Sequence, residues 1–158
     1  MSTASLLDRA AVMMPKSPAV ALGTSTVHTW AALADRSRRL ATHLRSKLGL
    51  KPGDRVLLFM KNVPPYIEVM FGCWYAGLVA VPVNNKLHAK EVAYILEHSR
   101  ASAAFVTADL ATTFSEASAG VGTLKSVIDV TTPAYQKLFA ADPIIGRYAK
   151  GSDLAWIF

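Results

Sequence analysis

Cysteine is almost missing from these 158 residues: Cys73 is the only one. A disulfide framework within the chain and any zinc site built on several cysteines are therefore excluded. Flanked by Phe71, Trp74 and Tyr75, that thiol reads as a small buried hydrophobe rather than a nucleophile. Charge is scarce as well, at 18% of residues against 52% hydrophobic. The net charge of +6 comes from scattered Lys and Arg, a basic solvated surface with no nucleic-acid recognition pattern. The four histidines, at 28, 43, 88 and 98, lack the spacing of metal ligands. No Gly-x-Gly-x-x-Gly follows an apolar run, which removes a dinucleotide oxidoreductase. Asp54 and Asp109 stand apart, unlike the clustered acids of a response regulator. No Ser, His and Asp set has a local signature of nucleophilic catalysis, and there is no internal repeat. The N-terminal stretch carries Asp8 and Arg9 inside its apolar part and so lacks the long apolar centre of a secretion signal. A cytoplasmic, reducing setting is the resulting expectation.

What is present is a rhythm of apolar runs. "STASLLDRAAVMMP" predicts a short helix with Leu6, Ala10 and Met13 as its apolar stripe, closed by Pro15. "PAVALGTSTVHTW" predicts a hairpin turning at Gly23-Thr24-Ser25. Thr29 is placed to cap the following helix, whose apolar face is Leu33, Leu40, Ala41, Leu44 and Leu48 and whose stop is Gly49. Its basic residues Arg36, Arg38, Arg39, Arg45 and Lys47 read as a solvated face. Val56 to Met60 is apolar without alternation, the mark of a strand covered on both faces in a parallel sheet. Asn62 is expected to cap the next helix, with Pro64 and Pro65 in its first turn.

"GCWYAGLVAVPVNNKL" decides the class. A bilayer span needs ~20 uncharged residues, and Glu68 and Gly77 divide this region too closely. It reads instead as a helix ending at Gly77, then a buried strand with Pro82 near its end or at a sheet edge. Met70, Phe71, Trp74 and Tyr75 are core positions on that helix. Asn84, Asn85 and Lys86 mark the strand's carboxyl end, where open α/β sheets bind ligands, and the asparagines are turn formers. "AKEVAYILEHS" predicts another helix, with Val92, Ile95 and Leu96 inward, and "AAFVT" and "LKSVIDV" further strands. Residues 109–122 predict a weak helix and a loop, and 131–153 carry no legible pattern. Helices alternating with strands indicate βαβ units: an α/β fold with a mostly parallel sheet flanked by helices, one unit over 1–158. "SDLAWIF" begins a further apolar strand, and an ending inside such a strand is expected of a truncated piece.

The stretch from Val27 to Thr107 resembles the N-terminal part of the adenylate-forming enzymes, specifically the acyl-CoA synthetases. Thr29-Trp30-Ala31-Ala32-Leu33 matches the aromatic residue that opens a helix in that superfamily, with Ala32 where Glu is common. Ala76-Gly77-Leu78-Val79-Ala80-Val81-Pro82-Val83-Asn84 matches its small-Gly-x-x-x-x-Pro-x-Asn motif. The resemblance covers roughly residues 1–110, plus "DLAWIF". It implies an enzyme that joins a carboxylic acid to CoA through an acyl-adenylate, using ATP and Mg2+. In such enzymes a strand like "LAWIF" runs into a Gly/Ser/Thr-rich loop ending in Pro-Lys-Gly. That loop, an aromatic-Gly-x-Thr-Glu motif, a ribose-binding Asp and a C-terminal domain with its lysine are absent from these residues. The resemblance therefore assigns no catalytic residue and no metal ligand here, and no tight cofactor binding by the piece itself. It nominates Lys86 for the CoA phosphates, and fatty acids as the acid, with aryl acids, short dicarboxylates and carrier-bound products open. Self-association through the exposed last strand is expected. The alternative is a free-standing α/β interaction or small-ligand-binding module.

Overall fold

The structure, a computed structural model, describes residues 2–146 and 149–158. A two-stranded antiparallel hairpin, β1 (Pro18–Leu22) and β2 (Ser25–Thr29), stands beside a four-stranded parallel sheet. That sheet has the order β4 (Val79–Pro82), β3 (Arg55–Phe59), β5 (Ala103–Val106), β6 (Ser126–Asp129). The expected α/β class, hairpin and parallel strands are all present.

The unbroken apolar runs are explained by the two faces. Val56, Leu58, Ala80, Ala103 and Phe105 point to one core, shared with α1 (Ala4–Met13), α2 (Trp30–Ser46) and α3 (Pro64–Tyr75). Leu57, Phe59, Val81, Ala104 and Val106 point to the other, under α4 (Ala89–Ser99) and α5 (Ala111–Ser118). Alternate residues of one strand thus need apolar side chains for different reasons. Cys73, Trp74 and Tyr75 are buried in the first core, with Met70 and Phe71 packed against it. Burial pushes the Cys73 thiol pKa well up, which makes it inert at neutral pH. A short helix α6 (Pro133–Gln136) and a 3-10 turn complete that side, within the stretch that carried no sequence pattern. Positions 147 and 148 of that stretch lie outside the described residues.

Local signals account for the helix ends. Thr29 Oγ1 accepts a hydrogen bond from the Ala32 N–H at 3.3 Å, the expected cap of α2. Gly77 ends the α3 turn at φ +72°, a conformation that side chains with a Cβ resist. Asn62 does not cap α3: Val63 holds that position, with no side-chain bond. Pro64 and Pro65 occupy the first turn and have no N–H to cap, so an Asn there gains little.

Two expectations about faces were wrong. In α1, Leu6 and Met13 are 57% and 65% exposed, while Ala4 and Leu7 are buried. The sequence offers apolar stripes on two sides, and polar bonding selects one. Asp8 receives hydrogen bonds from Arg38 Nη2 at 2.7 Å and from the Tyr75 hydroxyl, which anchors α1 to α2 and α3. The basic residues of α2 are likewise not a merely solvated face. Arg36 pairs with Glu68 and Arg38 with Asp8, Arg39 with Asp35, and Arg45 donates to the Leu50 carbonyl at 2.7 Å.

The last apolar segment is less regular than expected. Residue Trp156 makes a single parallel bridge with Ala80, at the outer edge of β4, in place of a full strand. Pro82 sits at the end of that edge strand, as its missing N–H requires.

Candidate functional site at the carboxyl end of the sheet

All four strands point their carboxyl ends the same way. The connection from β3 runs through α3 to β4 at one edge, and that from β4 runs through α4 to β5 on β3's other side. The switch in direction leaves a crevice at the strand ends, the usual place for a ligand in such sheets. A cavity of about 330 Å³ opens there, walled by Asn62, Tyr66, Pro82, Asn84, Asn85 and Phe158, with Met60 and Val83 beneath. The β3–α3 loop supplies Asn62, the first turn of α3 supplies Tyr66, and the loop after β4 supplies the two further amides. Among the described residues its walls are three amides, two aromatic rings and a proline, with no cation and no glycine. Partial burial raises the Tyr66 pKa, so the phenol stays a neutral donor.

Asn84 forms the expected turn: its Oδ1 accepts from the Lys86 N–H at 3.0 Å. That bond, with the reciprocal His88 and Glu91 cap opening α4, sets the path of the loop. Lys86 is exposed on it and does not line the cavity. Among the described residues its ammonium is in no ion pair, so it offers one free point charge to an anion.

Two charge groupings near these strand ends were not foreseen. Lys61 Nζ and Asp109 Oδ2 lie 2.7 Å apart, bridging the segments after β3 and β5. The Lys61 hydrogen bond first, and Thr107 next, hold the Asp109 carboxyl below its ordinary pKa. Deeper in, Glu68 is 1% exposed and saturated with partners. His28 Nε2 lies at 2.5 Å, Arg36 Nε at 2.6 Å and the Tyr135 hydroxyl at 2.7 Å. Arg36 also donates to Gln136 at 3.3 Å and stacks on Phe139 at 3.7 Å. This carboxylate ties β2, α2, α3 and α6 together. A lone Glu in an otherwise apolar helix was the available signal, since a buried charge must find partners. Among the described residues no group of three or more His, Cys, Asp or Glu is placed to hold a metal, and no helix is long and apolar enough to cross a membrane.

Comparison with known proteins bears directly on this arrangement. The family described as AMP-binding enzyme matches residues 7–156. The chain belongs to the AMP-binding enzyme family. A feruloyl-CoA synthase from Amycolatopsis sp is 41% identical over 112 residues, covering 71% of this chain and 22% of that protein. A long-chain-fatty-acid–CoA ligase from Salmonella typhimurium is 36% identical over 112 residues, covering 71% of this chain and 20% of its own length. Among solved structures, the N-terminal domain of FACL13 from Mycobacterium tuberculosis superposes with a TM-score of 0.89 at 27% identity, over 99% of this chain and 41% of that one. A benzoate CoA ligase from Burkholderia xenovorans LB400 gives 0.88 at 29% identity, over 99% of this chain and 32% of that one. The matched stretch of the chain spans about a fifth of the length of these curated relatives. Among the described residues the cavity lining has neither the cation nor the glycine turn of a triphosphate-binding loop.

Proposed function

We propose that residues 1–158 form one α/β unit, the N-terminal part of an ATP-dependent acyl-CoA ligase that converts a carboxylic acid, ATP and CoA to acyl-CoA, AMP and diphosphate. The observation that carries this reading is the family match over residues 7–156, in a chain whose matched stretch covers only about a fifth of each curated relative. In that reaction ATP supplies the activating group, Mg2+ neutralises phosphate charge and CoA supplies the thiol. These residues supply scaffold: the crevice at the strand ends, and Lys86 as a point charge for a CoA phosphate. They contain no catalytic group, and the chain alone is inactive and binds ATP no better than a nonspecific basic protein. The setting is the cytoplasm, which suits one buried, unreactive cysteine.

Two measurements test this. The isolated chain, given acid, Mg-ATP and CoA, should release no AMP, and calorimetry should find no saturable ATP binding. Micromolar binding would refute the inactive-piece reading. Exchanging residues 1–158 for the matching segment of the Salmonella typhimurium ligase should preserve acid-dependent AMP release. In that chimera Lys86→Ala should raise the KM for CoA several-fold and leave that for ATP unchanged; an unchanged CoA KM removes Lys86 from the site.

The acid we propose is a fatty acid, supported by the long-chain-fatty-acid–CoA ligase relative. An aryl acid is favoured by a different observation, the higher identity to the feruloyl-CoA synthase. Competing octanoate against ferulate or benzoate in the full-length protein that carries these residues separates the two. Exposed Leu154, Trp156 and Phe158 on a segment that only bridges the edge of the sheet also support self-association of the isolated chain. Light scattering at high concentration should show a species larger than the monomer.

A further inference from the structure

The segment through Trp156 reaches the sheet with very little backbone pairing. Two hydrogen bonds join it to β4: the Ala80 N–H donates to the Ala155 carbonyl, and the Ile157 N–H donates to the Ala80 carbonyl, both at 3.0 Å. Toward the carboxyl end β4 has no further donor to give this segment. On β4 the odd residues donate inward, as the Val83 N–H does to the Leu58 carbonyl at 3.0 Å. The even residues donate outward, and the next even residue is Pro82, which has no N–H. Toward the amino end, the Leu78 N–H is spent on the Cys73 carbonyl at 2.8 Å. Two bonds are a weak determinant of register, since a slip of two residues along a strand keeps every side chain on its own face.

A third bond removes that freedom. Trp74 is buried, and its indole Nε1 donates to the same Ala155 carbonyl at 2.9 Å. An indole has one N–H and no acceptor, so in a buried site it must find one oxygen; a carbonyl has two lone pairs and can serve both donors. The Trp74 ring meets Trp156 edge-on with centroids 5.4 Å apart, and Trp156 meets Phe158 at 5.4 Å. Phe158 is one wall of the carboxyl-end cavity, which Trp74 itself does not touch. From this geometry we propose that Trp74 is a positioning residue: its N–H fixes the register of the 155–157 segment and so places Phe158 at the mouth of that cavity. The functional weight of the cavity rests on the ligase reading, whereas the placement of Phe158 does not.

The test uses the whole 158-residue chain and needs no substrate. Trp74→Phe keeps a ring and deletes the donor. Amide hydrogen exchange of Ile157 should accelerate at least tenfold, while the β3 and β5 amides, which pair elsewhere, keep their protection. In the same variant the side-chain amide NMR signals of Asn84 and Asn85 should move as they do in Phe158→Ala, because both changes withdraw the Phe158 ring current. If Trp74 acted only through packing, Trp74→Phe would leave those signals in place. Unchanged Ile157 protection, loss of protection throughout the sheet, or amide shifts unlike those of Phe158→Ala would each overturn the proposal. Failure of the chimera to release AMP would overturn the ligase reading and leave this one standing.

Discussion

Replacing Glu68 is the sharpest perturbation of this scaffold. Its carboxylate, 1% exposed, neutralises Arg36, lies 2.5 Å from His28 Nε2 and accepts from the Tyr135 hydroxyl at 2.7 Å. Glu68→Ala strands three polar groups at once. Removing one partner of a buried ion pair costs about 3 to 5 kcal/mol, because the remaining charge has lost its water and its counterion. The Arg36 and His28 side chains are still 24% and 16% exposed, so some rehydration is available and the lower end, about 3 kcal/mol, is expected. With a urea m-value of ~2 kcal/mol/M for a chain of this size, the midpoint should fall by roughly 1.5 M. Glu68→Gln keeps an acceptor and loses the charge, and should cost roughly half as much. Combining Glu68→Ala with Arg36→Met removes both charges, so the double variant should be more stable than the sum of the singles predicts, by at least ~1 kcal/mol. Urea titrations followed by circular dichroism give all four values. A midpoint shift below ~0.5 M for Glu68→Ala, or strict additivity in the cycle, would refute the claim that this carboxylate organises the four elements.

Further outcomes follow from packing and ionisation. A Cβ at Gly72 would lie 2.9 Å from Leu40 Cδ2 and 3.1 Å from its Cγ, so Gly72→Ala should destabilise by about 1 to 3 kcal/mol through forced separation of α2 and α3; no loss in a urea titration would mean that the helices re-space freely. Ser37 is fully buried and its Oγ has no hydrogen-bond partner among the described residues, so Ser37→Ala should stabilise by about 1 kcal/mol and raise the Tm by a few degrees; a lower Tm would point to a bond made in solution. Burial first, then Asp8, raises the Tyr75 pKa, and burial first, then the Glu68 charge, raises that of Tyr135. The folded chain therefore holds these protons when the unfolded chain has released them, so the stability is complete below about pH 10 and falls as pH rises further. Tyrosinate absorbance for these two rings should appear together with unfolding, and ionisation in a folded chain at lower pH would contradict the burial.

The contrast between what could be read in one dimension and what could not is instructive at particular residues. Thr29 caps α2, Gly77 stops α3 and Pro82 closes an edge strand because each acts through its own backbone, within a few residues of its position. The same is true of the apolar runs at Val56–Phe59 and around Val79–Val83, whose lack of alternation reports two covered faces. Asn62 misled because the capping rule does not register that the two prolines after it have no N–H to satisfy. Leu6 and Met13 misled because α1 has apolar residues on two sides, and Asp8 chooses between them only by finding Arg38 and Tyr75.

Sequence alone therefore determined the α/β class, the order of helices and strands from α1 to β6, the turn at Asn84 and the loop position of Lys86. Each of these depends on hydrophobic period or on bonds between near neighbours. The tertiary structure alone decided what the charges and the indole do: Glu68 meets His28, Arg36 and Tyr135, Lys61 meets Asp109, and Trp74 meets Ala155. Those partners lie far apart along the chain, and a polar group withdrawn from water bonds to whichever donor or acceptor the folded backbone brings within about 3 Å.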